Sequence, residues 1–352
     1  MSRFFTDRLS ALEAYVPGEQ PRDRKYIKLN TNESPFPPSP LAQRLARQAA
    51  GDLQLYSDPQ CRDLVAVAAD KFGVGEDEVI FTNGSDEILN FIFLAFGDET
   101  RPLVFPDITY GFYPVIANLN RVPFETIPLT GDFRINPEDY MDLGRKIIVI
   151  ANPNAPTGTA LPLSDIERIA AGNPEGLLVV DEAYVDFGAE SAVGLIHKYE
   201  NLIVTQTFSK SRSLAGGRLG MAFACSELVA DLTTVRYSMN PYNVNRMTMA
   251  AGIGALLDGE YFKSCCLTIA ITREETRAQL QALGFTVLDS SSNFLFVKHR
   301  SVSGDEIFTK LREKGILVRH FTSERIKDFN RITIGTIEQM DAVLTALEEI
   351  VT

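Results

Sequence analysis

Histidine and cysteine, the residues that most often bind transition metals in proteins, are scarce in this sequence of 352 residues. Its three histidines are His197, His299 and His320. They lie far apart in the chain and fit no metal-ligand spacing, so the sequence gives no support to metal catalysis. Its four cysteines are Cys61, Cys225, Cys265 and Cys266. They include no C-x-x-C pair, and we expect the reduced thiols of a cytoplasmic protein.

Long hydrophobic runs and basic blocks are also missing. No run of 18 uncharged apolar residues occurs, and the first residues contain no continuous apolar segment, so we expect neither a membrane span nor a secretory leader. The net charge is −12, which argues against nucleic acid or an anionic membrane as the main partner. An anionic small molecule would therefore need a local cluster of arginines.

Three short apolar runs, 146–150, 177–180 and 202–204, dominate the middle of the chain. They are rich in Val and Ile, which is typical of strands buried on both faces of a parallel sheet. Helical segments separate them, and the spacing of Ser164 and Glu167 predicts a capping box at the start of one such helix. Alternating strands and helices predict βαβ units and an α/β fold.

The pattern changes near both ends of the chain. Residues 1–28 are predicted to be an irregular arm, and 29–258 a large domain built on the parallel sheet. Residues 259–352 combine helices with short strands of alternating polarity, which predicts a smaller α+β domain with its own sheet.

Polar side chains follow each of the three predicted strands. Asn154 follows the first, Asp181 and Tyr184 the second, and Ser209 and Lys210 the third. In parallel sheets, ligands bind beyond the carboxyl ends of the strands. We therefore expect these five side chains to meet at one edge of one sheet.

The chemistry of these residues fits pyridoxal phosphate. A poorly solvated Lys210 would have a depressed pKa and could react with an aldehyde. Asp181 beside a pyridine nitrogen would keep that nitrogen protonated, and Tyr184 and Asn154 could donate hydrogen bonds to a phenolate oxygen. Taken singly, each residue has an ordinary structural explanation, such as a helix cap, a salt bridge or a solvated loop lysine. The combination is what favours a cofactor site.

The phosphate of such a cofactor would need its own donors. The turn Asn83-Gly84-Ser85-Asp86 opens a predicted helix, and its backbone N–H groups suit a phosphate, although a plain N-cap by Ser85 is an alternative. Ser209 and Arg218 could add hydrogen bonds to the same group, and Tyr110 could stack on the ring.

Several segments of the chain resemble those of the fold-type I pyridoxal-phosphate aminotransferases. They are Asn83-Gly-Ser-Asp-Glu87, Asn152-Pro-Asn-Ala-Pro-Thr-Gly158, Asp181-Glu-Ala-Tyr184, Ser209-Lys210 and Arg218. Within that superfamily the chain is most similar to the histidinol-phosphate aminotransferases. The segments that carry this similarity are Tyr15-Val-Pro-Gly18, Leu29-Asn-Thr-Asn-Glu-Ser-Pro35, Tyr56-Ser-Asp-Pro59, Val318-Arg-His-Phe321 and Arg331-Ile-Thr-Ile-Gly-Thr336. The resemblance covers nearly the whole chain.

The resemblance implies a fold, a reaction and a cofactor. The fold would be a large domain with a mostly parallel sheet between helices and a smaller α+β C-terminal domain. The reaction would be transamination between L-histidinol phosphate and 2-oxoglutarate in histidine biosynthesis. Lys210 would form an imine with pyridoxal phosphate and move the substrate Cα proton. Tyr56 would reach the cofactor phosphate of a neighbouring subunit, which implies a homodimer with shared active sites.

The resemblance also assigns the binding residues. The cofactor-binding residues would be Gly84, Ser85, Asp86, Tyr110, Asn154, Asp181, Tyr184, Thr207, Ser209, Lys210, Arg218 and Tyr56. Arg331 would hold the carboxylate of the amino-acid co-substrate through two parallel contacts. Tyr15 and Arg319 would lie near the phosphate of the substrate, and Asn32 is placed with them in the substrate-binding group.

One position departs from the family. In the segment 152–158, the family usually has an asparagine directly before the proline that corresponds to Pro156, and this asparagine contacts the cofactor O3′. Here that position is Ala155, and Asn154 lies one residue earlier. Either Asn154 replaces the missing contact or Tyr184 acts alone.

Other functions stay open from the sequence. Threonine-phosphate decarboxylase and aromatic amino-acid aminotransferase share the expected fold. A dinucleotide-binding oxidoreductase is a further alternative, but Gly216-Gly-Arg-Leu-Gly220 lacks the G-x-G-x-x-G spacing. A regulator with this fold would need a DNA-binding domain, and the N-terminal region offers none.

Overall fold

A seven-stranded sheet forms the larger part of the molecule in this computed structural model, which describes residues 2–6, 9–10 and 12–352. Its strands are β2 (Val79–Thr82), β3 (Leu103–Pro106), β4 (Phe124–Ile127), β5 (Ile147–Ala151), β6 (Leu177–Asp181), β7 (Leu202–Thr207) and β8 (Gly220–Phe223). Their order in space is β2-β8-β7-β6-β5-β3-β4, and only β8 runs antiparallel to its neighbours. The parallel pairing of the three central strands agrees with the sequence prediction.

Helices cover both faces of this sheet. They are α1 (Pro40–Ala49), α2 (Arg62–Phe72), α3 (Ser85–Phe96), α4 (Tyr113–Asn120), α5 (Leu163–Ala171), α6 (Ser226–Met239) and α7 (Arg246–Leu257). Alternate strand residues belong to opposite cores: Ile148 and Val180 pack with α1, α2, α5 and α7, whereas Val149 and Val179 pack with α3, α4 and α6. The sheet is therefore buried on both faces, which explains why its strands are continuously apolar.

A four-stranded antiparallel sheet lies in the C-terminal part. It is formed by β9 (Phe285–Val287), β10 (Phe294–His299), β12 (Arg319–His320) and β13 (Asn330–Thr333), in the order β12-β13-β10-β9. The helices of this part are α8 (Gly259–Ala282), α9 (Gly304–Glu313) and α10 (Ile337–Val351). They share a separate hydrophobic core with the small sheet. The boundaries proposed at residues 28 and 258 stay a prediction.

The N-terminal segment joins the two parts. Strand β1 (Ile27–Lys28) pairs in parallel with β11 (Ile316–Leu317), and the Leu29 carbonyl accepts a hydrogen bond of 3.0 Å from the Thr333 backbone N–H. The next residues, 30–33, then run along the gap between the two sheets and line it.

Two local predictions differ from the structure. The capping box is wrong, because α5 begins at Leu163, one residue before Ser164, with Pro162 as its N-cap. The Pro162 carbonyl accepts from the N–H groups of Asp165 and Ile166, so the hydrogen-bonded turn starts earlier than the Ser–Glu spacing suggested. Strand β7 is also longer than predicted and ends at Thr207, because the unpredicted antiparallel strand β8 pairs with its last residues.

Candidate active site

A cavity of about 530 Å³ lies beyond the carboxyl ends of β5, β6 and β7, between the large sheet and the small one. Most of the side chains predicted from the sequence line it. They are Tyr15, Asn32, Ser85, Asp86, Tyr110, Asp181, Tyr184, Thr207, Ser209, Lys210, Arg218, Arg319 and Arg331. Gly84, Asn154 and Tyr56 are not among its lining residues.

The Lys210 amine points into this cavity from the loop after β7. Its Nζ donates a hydrogen bond of 2.8 Å to the Thr31 carbonyl and lies 5.9 Å from the centre of the Tyr184 ring. Burial, followed by the positive charge of Arg331, lowers the pKa of Lys210 to about 7. A substantial fraction of the amine is therefore neutral at neutral pH, the form that acts as nucleophile and base.

Asp181 is the last residue of β6 and is only 4% exposed. The Tyr113 hydroxyl donates a hydrogen bond of 2.8 Å to its Oδ2, and the Thr205 hydroxyl donates one of 3.2 Å to its Oδ1. Burial raises the pKa of Asp181 to about 6, although these hydroxyl donors oppose the rise. No arginine, lysine or histidine in the described part of the chain forms an ion pair with Asp181. The site thus holds a buried carboxylate that a cationic N–H group of a ligand would complement.

Tyr184 follows Asp181 by three residues in the segment after β6, and its ring is edge-on to that of Phe294 at 5.1 Å. Its hydroxyl accepts a hydrogen bond of 2.9 Å from Asn32 Nδ2. Asn32 has a positive φ of 56°, and its Oδ1 accepts from the Thr333 hydroxyl at 3.0 Å, so both ends of its amide are used. Burial raises the pKa of Tyr184. The tyrosine therefore keeps its proton and can donate it to a ligand oxygen.

The N-terminus of α3 forms the anion-binding end of the cavity. The helix begins at Ser85 without a side-chain cap, and its first two residues, Ser85 and Asp86, line the cavity, so the backbone N–H groups that a helix leaves unpaired at its start lie beside it. Arg218 lies beside it: its Nη2 is 3.2 Å from Asp86 Oδ2, and its Nη1 donates to Ser209 Oγ at 3.5 Å. Gly84 is behind this guanidinium, since a Cβ at Gly84 would be 2.4 Å from Arg218 Nη2. Gly84 thus contributes space rather than a contact.

Two further predicted residues order this end of the cavity. The Thr207 hydroxyl donates a hydrogen bond of 3.0 Å to Ser209 Oγ, and the Ser209 N–H donates to Thr207 Oγ1 at 3.2 Å. The Tyr110 hydroxyl donates to Asp86 Oδ1 at 3.0 Å, and its ring is perpendicular to that of Tyr113 at 5.5 Å. Tyr110 thereby presents an aromatic surface to the cavity between the helix end and Asp181.

Two arginines occupy directly opposite positions on antiparallel strands at the far side of the cavity. Arg319 on β12 pairs with Arg331 on β13. Arg331 Nη2 donates to the Asn30 carbonyl at 3.1 Å, and its guanidinium lies 5.3 Å from the Phe294 ring centre. Its Nε is buried and has no partner in the part of the chain that the structure describes. Neither arginine forms an ion pair with a carboxylate among the described residues. Because like charges opposite each other are destabilising, the pair is suited to hold an anionic ligand.

Asn154 is not brought to the cavity. Its Oδ1 accepts from the Thr109 hydroxyl at 2.8 Å, and its Nδ2 donates to the Ile108 carbonyl and to Thr157 Oγ1, both at 3.0 Å. The amide is therefore fully used within the loops behind the wall, and Ala155 lines the cavity in its place. Asn154 therefore does not replace the contact expected at the position of Ala155, which leaves Tyr184 as the predicted donor on this side.

Two predicted tyrosines lie at the periphery. Tyr15 is 38% exposed and packs edge-on against Phe112, at 5.2 Å, at the mouth of the cavity. Tyr56 is 79% exposed, lies outside the cavity and stacks on Tyr242 with ring centres 4.5 Å apart. Tyr56 can therefore act in a cavity only if that cavity belongs to another subunit.

Sequence reasoning missed three groups that hold the site together. They are the Thr31 carbonyl, Tyr113 and Thr205. Thr205 pairs with Asp181 in the sheet register, so strand alignment was the signal available for it, whereas Tyr113 follows Tyr110 across a turn that precedes α4 and has no periodic signal. The Thr31 carbonyl has no sequence signal, because a backbone group is the same in every residue.

Three other properties concern the described residues as a whole. They contain no group of three or more His, Cys, Asp or Glu side chains placed to hold a metal ion. None of the helices they form is both long enough and apolar enough to cross a membrane. The four cysteines are unpaired thiols.

Comparison with known proteins identifies the family. The family described as aminotransferase class I and II matches residues 24–347. A histidinol-phosphate aminotransferase of Brachyspira hyodysenteriae is 46% identical, with 100% of this chain and 99% of the relative covered. That of Aromatoleum aromaticum is 48% identical, with 99% of each chain covered.

The solved structures agree. The histidinol-phosphate aminotransferase of Sinorhizobium meliloti, determined in complex with pyridoxal 5′-phosphate, has a TM-score of 0.90 and 26% identity, and the match covers 100% of this chain and 98% of that one. The fold class and the enzyme class predicted from the sequence are confirmed. This chain belongs to the histidinol-phosphate aminotransferase family of the class I and II aminotransferases.

Proposed function

We propose that this protein catalyses transamination between L-histidinol phosphate and 2-oxoglutarate, giving imidazole-acetol phosphate and L-glutamate, as a step of histidine biosynthesis. Pyridoxal phosphate is the cofactor, as the sequence predicts and as the family and its Sinorhizobium member indicate. The observation that carries the proposal is one cavity in which a lysine of lowered pKa, a carboxylate without a cation and two arginines without anions are combined.

The residues present fit the cofactor. Asp181 would accept a hydrogen bond from the protonated ring nitrogen, which supplies the cation that this buried carboxylate lacks. Tyr184 would donate to O3′, and the ring of Tyr110 would cover one face. The phosphate would bind the N–H groups at the start of α3 together with Ser209 and Arg218.

Bound pyridoxal phosphate supplies an electrophilic aldehyde and a ring that draws electrons from the substrate Cα. Lys210 is the general base of the reaction. Its neutral amine, available because of the lowered pKa, takes the proton from the substrate Cα. The Thr31 carbonyl holds Nζ at 2.8 Å inside the cavity, so the amine does not swing into solvent when it is not bonded to the cofactor.

The two opposite arginines explain how one pocket serves two substrates. Histidinol phosphate carries a phosphate and no carboxylate, whereas glutamate carries two carboxylates. Arg331 has its long axis fixed by Phe294 and the Asn30 carbonyl, which suits two parallel hydrogen bonds to a carboxylate. Arg319, whose Nη2 donates to the Val16 carbonyl at 3.5 Å, binds the substrate phosphate with Tyr15 at the mouth.

The related decarboxylase and the aromatic aminotransferase are weaker candidates. A threonine-phosphate decarboxylase of Porphyromonas gingivalis shares the fold, but at 20% identity the likeness concerns the fold alone. Relatives that are 44–48% identical over the full length are histidinol-phosphate aminotransferases. Their agreement supports the same donor substrate for this chain.

A transamination assay on the purified protein with pyridoxal phosphate tests the substrate. We expect glutamate to form from histidinol phosphate and 2-oxoglutarate with no release of CO₂, and phenylalanine and aspartate to be poor donors. Release of CO₂ from threonine phosphate would identify the decarboxylase. A kcat/KM for phenylalanine above that for histidinol phosphate would replace the proposed substrate with an aromatic one and leave the cofactor assignment in place.

We also propose a homodimer with shared active sites in the cytoplasm. The segments 53–56 and 237–242 expose large apolar side chains and meet where Tyr56 stacks on Tyr242. In the dimer the Tyr56 side chain would extend across the interface and bind the cofactor phosphate of the other subunit. The unpaired state of the four cysteines suits the reducing conditions of the cytoplasm.

Subunit mixing tests the shared site. We expect Lys210→Ala to be inactive and Tyr56→Ala to be weakly active at limiting cofactor. Hybrids of the two variants contain one site with both Lys210 and Tyr56 intact, so activity should return on mixing. If no activity returns although size-exclusion chromatography shows that hybrids form, Tyr56 does not complete the active site of the other subunit.

A further inference from the structure

Two hydroxyl groups hold the Asp181 carboxylate from behind, and neither of their side chains lines the cavity. Tyr113, the first residue of α4, and Thr205, in β7, are both fully buried. Each donates to a different carboxylate oxygen, Tyr113 to Oδ2 at 2.8 Å and Thr205 to Oδ1 at 3.2 Å. We propose that Tyr113 and Thr205 are positioning residues that keep Asp181 ionised and aimed at the cofactor ring nitrogen, with Tyr113 making the larger contribution.

The geometry restricts rotation of the carboxylate. Asp181 and Thr205 are directly paired in the sheet register, so the position of the Thr205 hydroxyl is set by the backbone of β7. Tyr113 approaches from the helix side and binds the other oxygen. With one lone pair of each oxygen engaged, the carboxylate cannot turn about its Cβ–Cγ bond without losing a hydrogen bond. The Ala183 backbone N–H also donates to this carboxylate, and the lone pairs that the three donors leave free are available to the cavity.

The hydroxyl donors also decide which protonation state prevails. A buried carboxylate without a cation tends to take up a proton, and a neutral acid is a poor acceptor for a cationic ring N–H. Donors to both oxygens favour the ionised form. Tyr113 has a second contact, because its ring is perpendicular to that of Tyr110, which lines the cavity. One side chain thus positions both the carboxylate and an aromatic wall of the same site.

The test uses two cofactors that differ at one atom. It rests on the proposed function, in that pyridoxal phosphate binds with its ring nitrogen at Asp181. Dissociation constants are measured by calorimetry on the apoprotein for pyridoxal phosphate and for its deaza analogue, in which carbon replaces the ring nitrogen. We expect Tyr113→Phe to weaken binding of pyridoxal phosphate about tenfold, the effect of one hydrogen bond to a charged group. Binding of the deaza analogue should change less than about twofold, because it has no N–H for Asp181 to accept.

Two other variants complete the experiment. Thr205→Val removes the second, longer hydrogen bond and should weaken binding of pyridoxal phosphate alone, by about threefold. Tyr140→Phe is the matched control, because the Tyr140 hydroxyl is buried without a partner among the described residues. It should change neither dissociation constant.

The results separate the possible failures. If Tyr113→Phe and Thr205→Val weaken the binding of both cofactors by the same factor, the two hydroxyls have only a structural role and the proposal is overturned. If neither variant changes the preference for pyridoxal phosphate over its deaza analogue, the proposal is overturned as well. If the unaltered protein itself shows no such preference, the placement of the ring nitrogen at Asp181 is wrong, and the proposed cofactor site fails together with this inference.

Discussion

Substitution of Gly84 by alanine adds one carbon atom, and we expect it to weaken cofactor binding in addition to lowering the stability of the fold. The Gly84 φ of 88° and ψ of 161° fall in a region that is essentially restricted to glycine. A Cβ there would lie 2.4 Å from Arg218 Nη2 and 3.0 Å from its Cζ. Gly84→Ala must therefore strain the backbone and push the guanidinium away from Ser209 and Asp86.

Two separate costs follow from this geometry. The backbone strain is about 1–3 kcal/mol and acts on the stability of the apoprotein. Displacement of Arg218 removes a charge-assisted hydrogen bond to the cofactor phosphate, about 2 kcal/mol, which corresponds to an increase of about thirtyfold in the dissociation constant.

Gly73→Ala is the matched control. Gly73 also has a positive φ, 69°, but nothing lies within 4 Å of its added Cβ. Its substitution should cost about 1–2 kcal/mol of stability through backbone strain alone and leave cofactor affinity unchanged. Calorimetric titration of both apoproteins with pyridoxal phosphate, together with their thermal midpoints, gives the comparison. Equal cofactor affinities of the two variants would refute the role assigned to the Gly84–Arg218 contact.

Three other predictions concern the charged groups. Because the pKa of Lys210 is lowered to about 7, covalent capture of pyridoxal phosphate by the apoprotein should speed up as pH rises to about 7 and then level off; a rise that continues to pH 10 would contradict the lowered pKa. Arg331→Lys should reduce kcat/KM for glutamate about thirtyfold to a hundredfold, because an ammonium cannot make two parallel contacts to a carboxylate. An unchanged value would show that Arg331 does not bind the substrate carboxylate. Asp186→Asn leaves the Arg212 guanidinium, whose side chain is 2% exposed, without its charge partner, and should cost about 3 kcal/mol in urea unfolding of the apoprotein. The exposed Glu260→Gln should have no measurable effect in the same assay, and equal effects of the two would show that the buried pair is not special.

The sequence predicted the parallel sheet and the residues at its edge because both leave local traces. Continuous apolar runs mark strands buried on two faces, and polar residues directly after them mark the carboxyl edge. Lys210, Asp181 and Tyr184 were found in this way, and all three line the cavity. Strand β8 left no such trace, because it follows the glycine-rich loop after Lys210 and consists of only four residues.

The contacts behind the site could not be predicted from residue type. Asn154 and Ala155 are adjacent in the chain, but only the fold of the loop decides that Ala155 faces the cavity while the Asn154 amide binds Thr109 and Ile108. The capping box predicted at Ser164 was wrong for a related reason. Helix α5 begins one residue earlier, at Leu163, and the residue types alone do not distinguish two start positions that differ by one residue.

The sequence alone determined the family and the parallel strands at the centre of the large sheet, and it predicted which residues lie at their carboxyl ends, because motif spacing and hydrophobic period are properties of the chain itself. The tertiary structure decided the electrostatics. Only folding removes Lys210 from water and brings Arg331 near it, and only folding places the Thr31 carbonyl, 179 residues away, beside the amine. A pKa depends on burial and on neighbouring charges in space, and neither can be read from the order of residues.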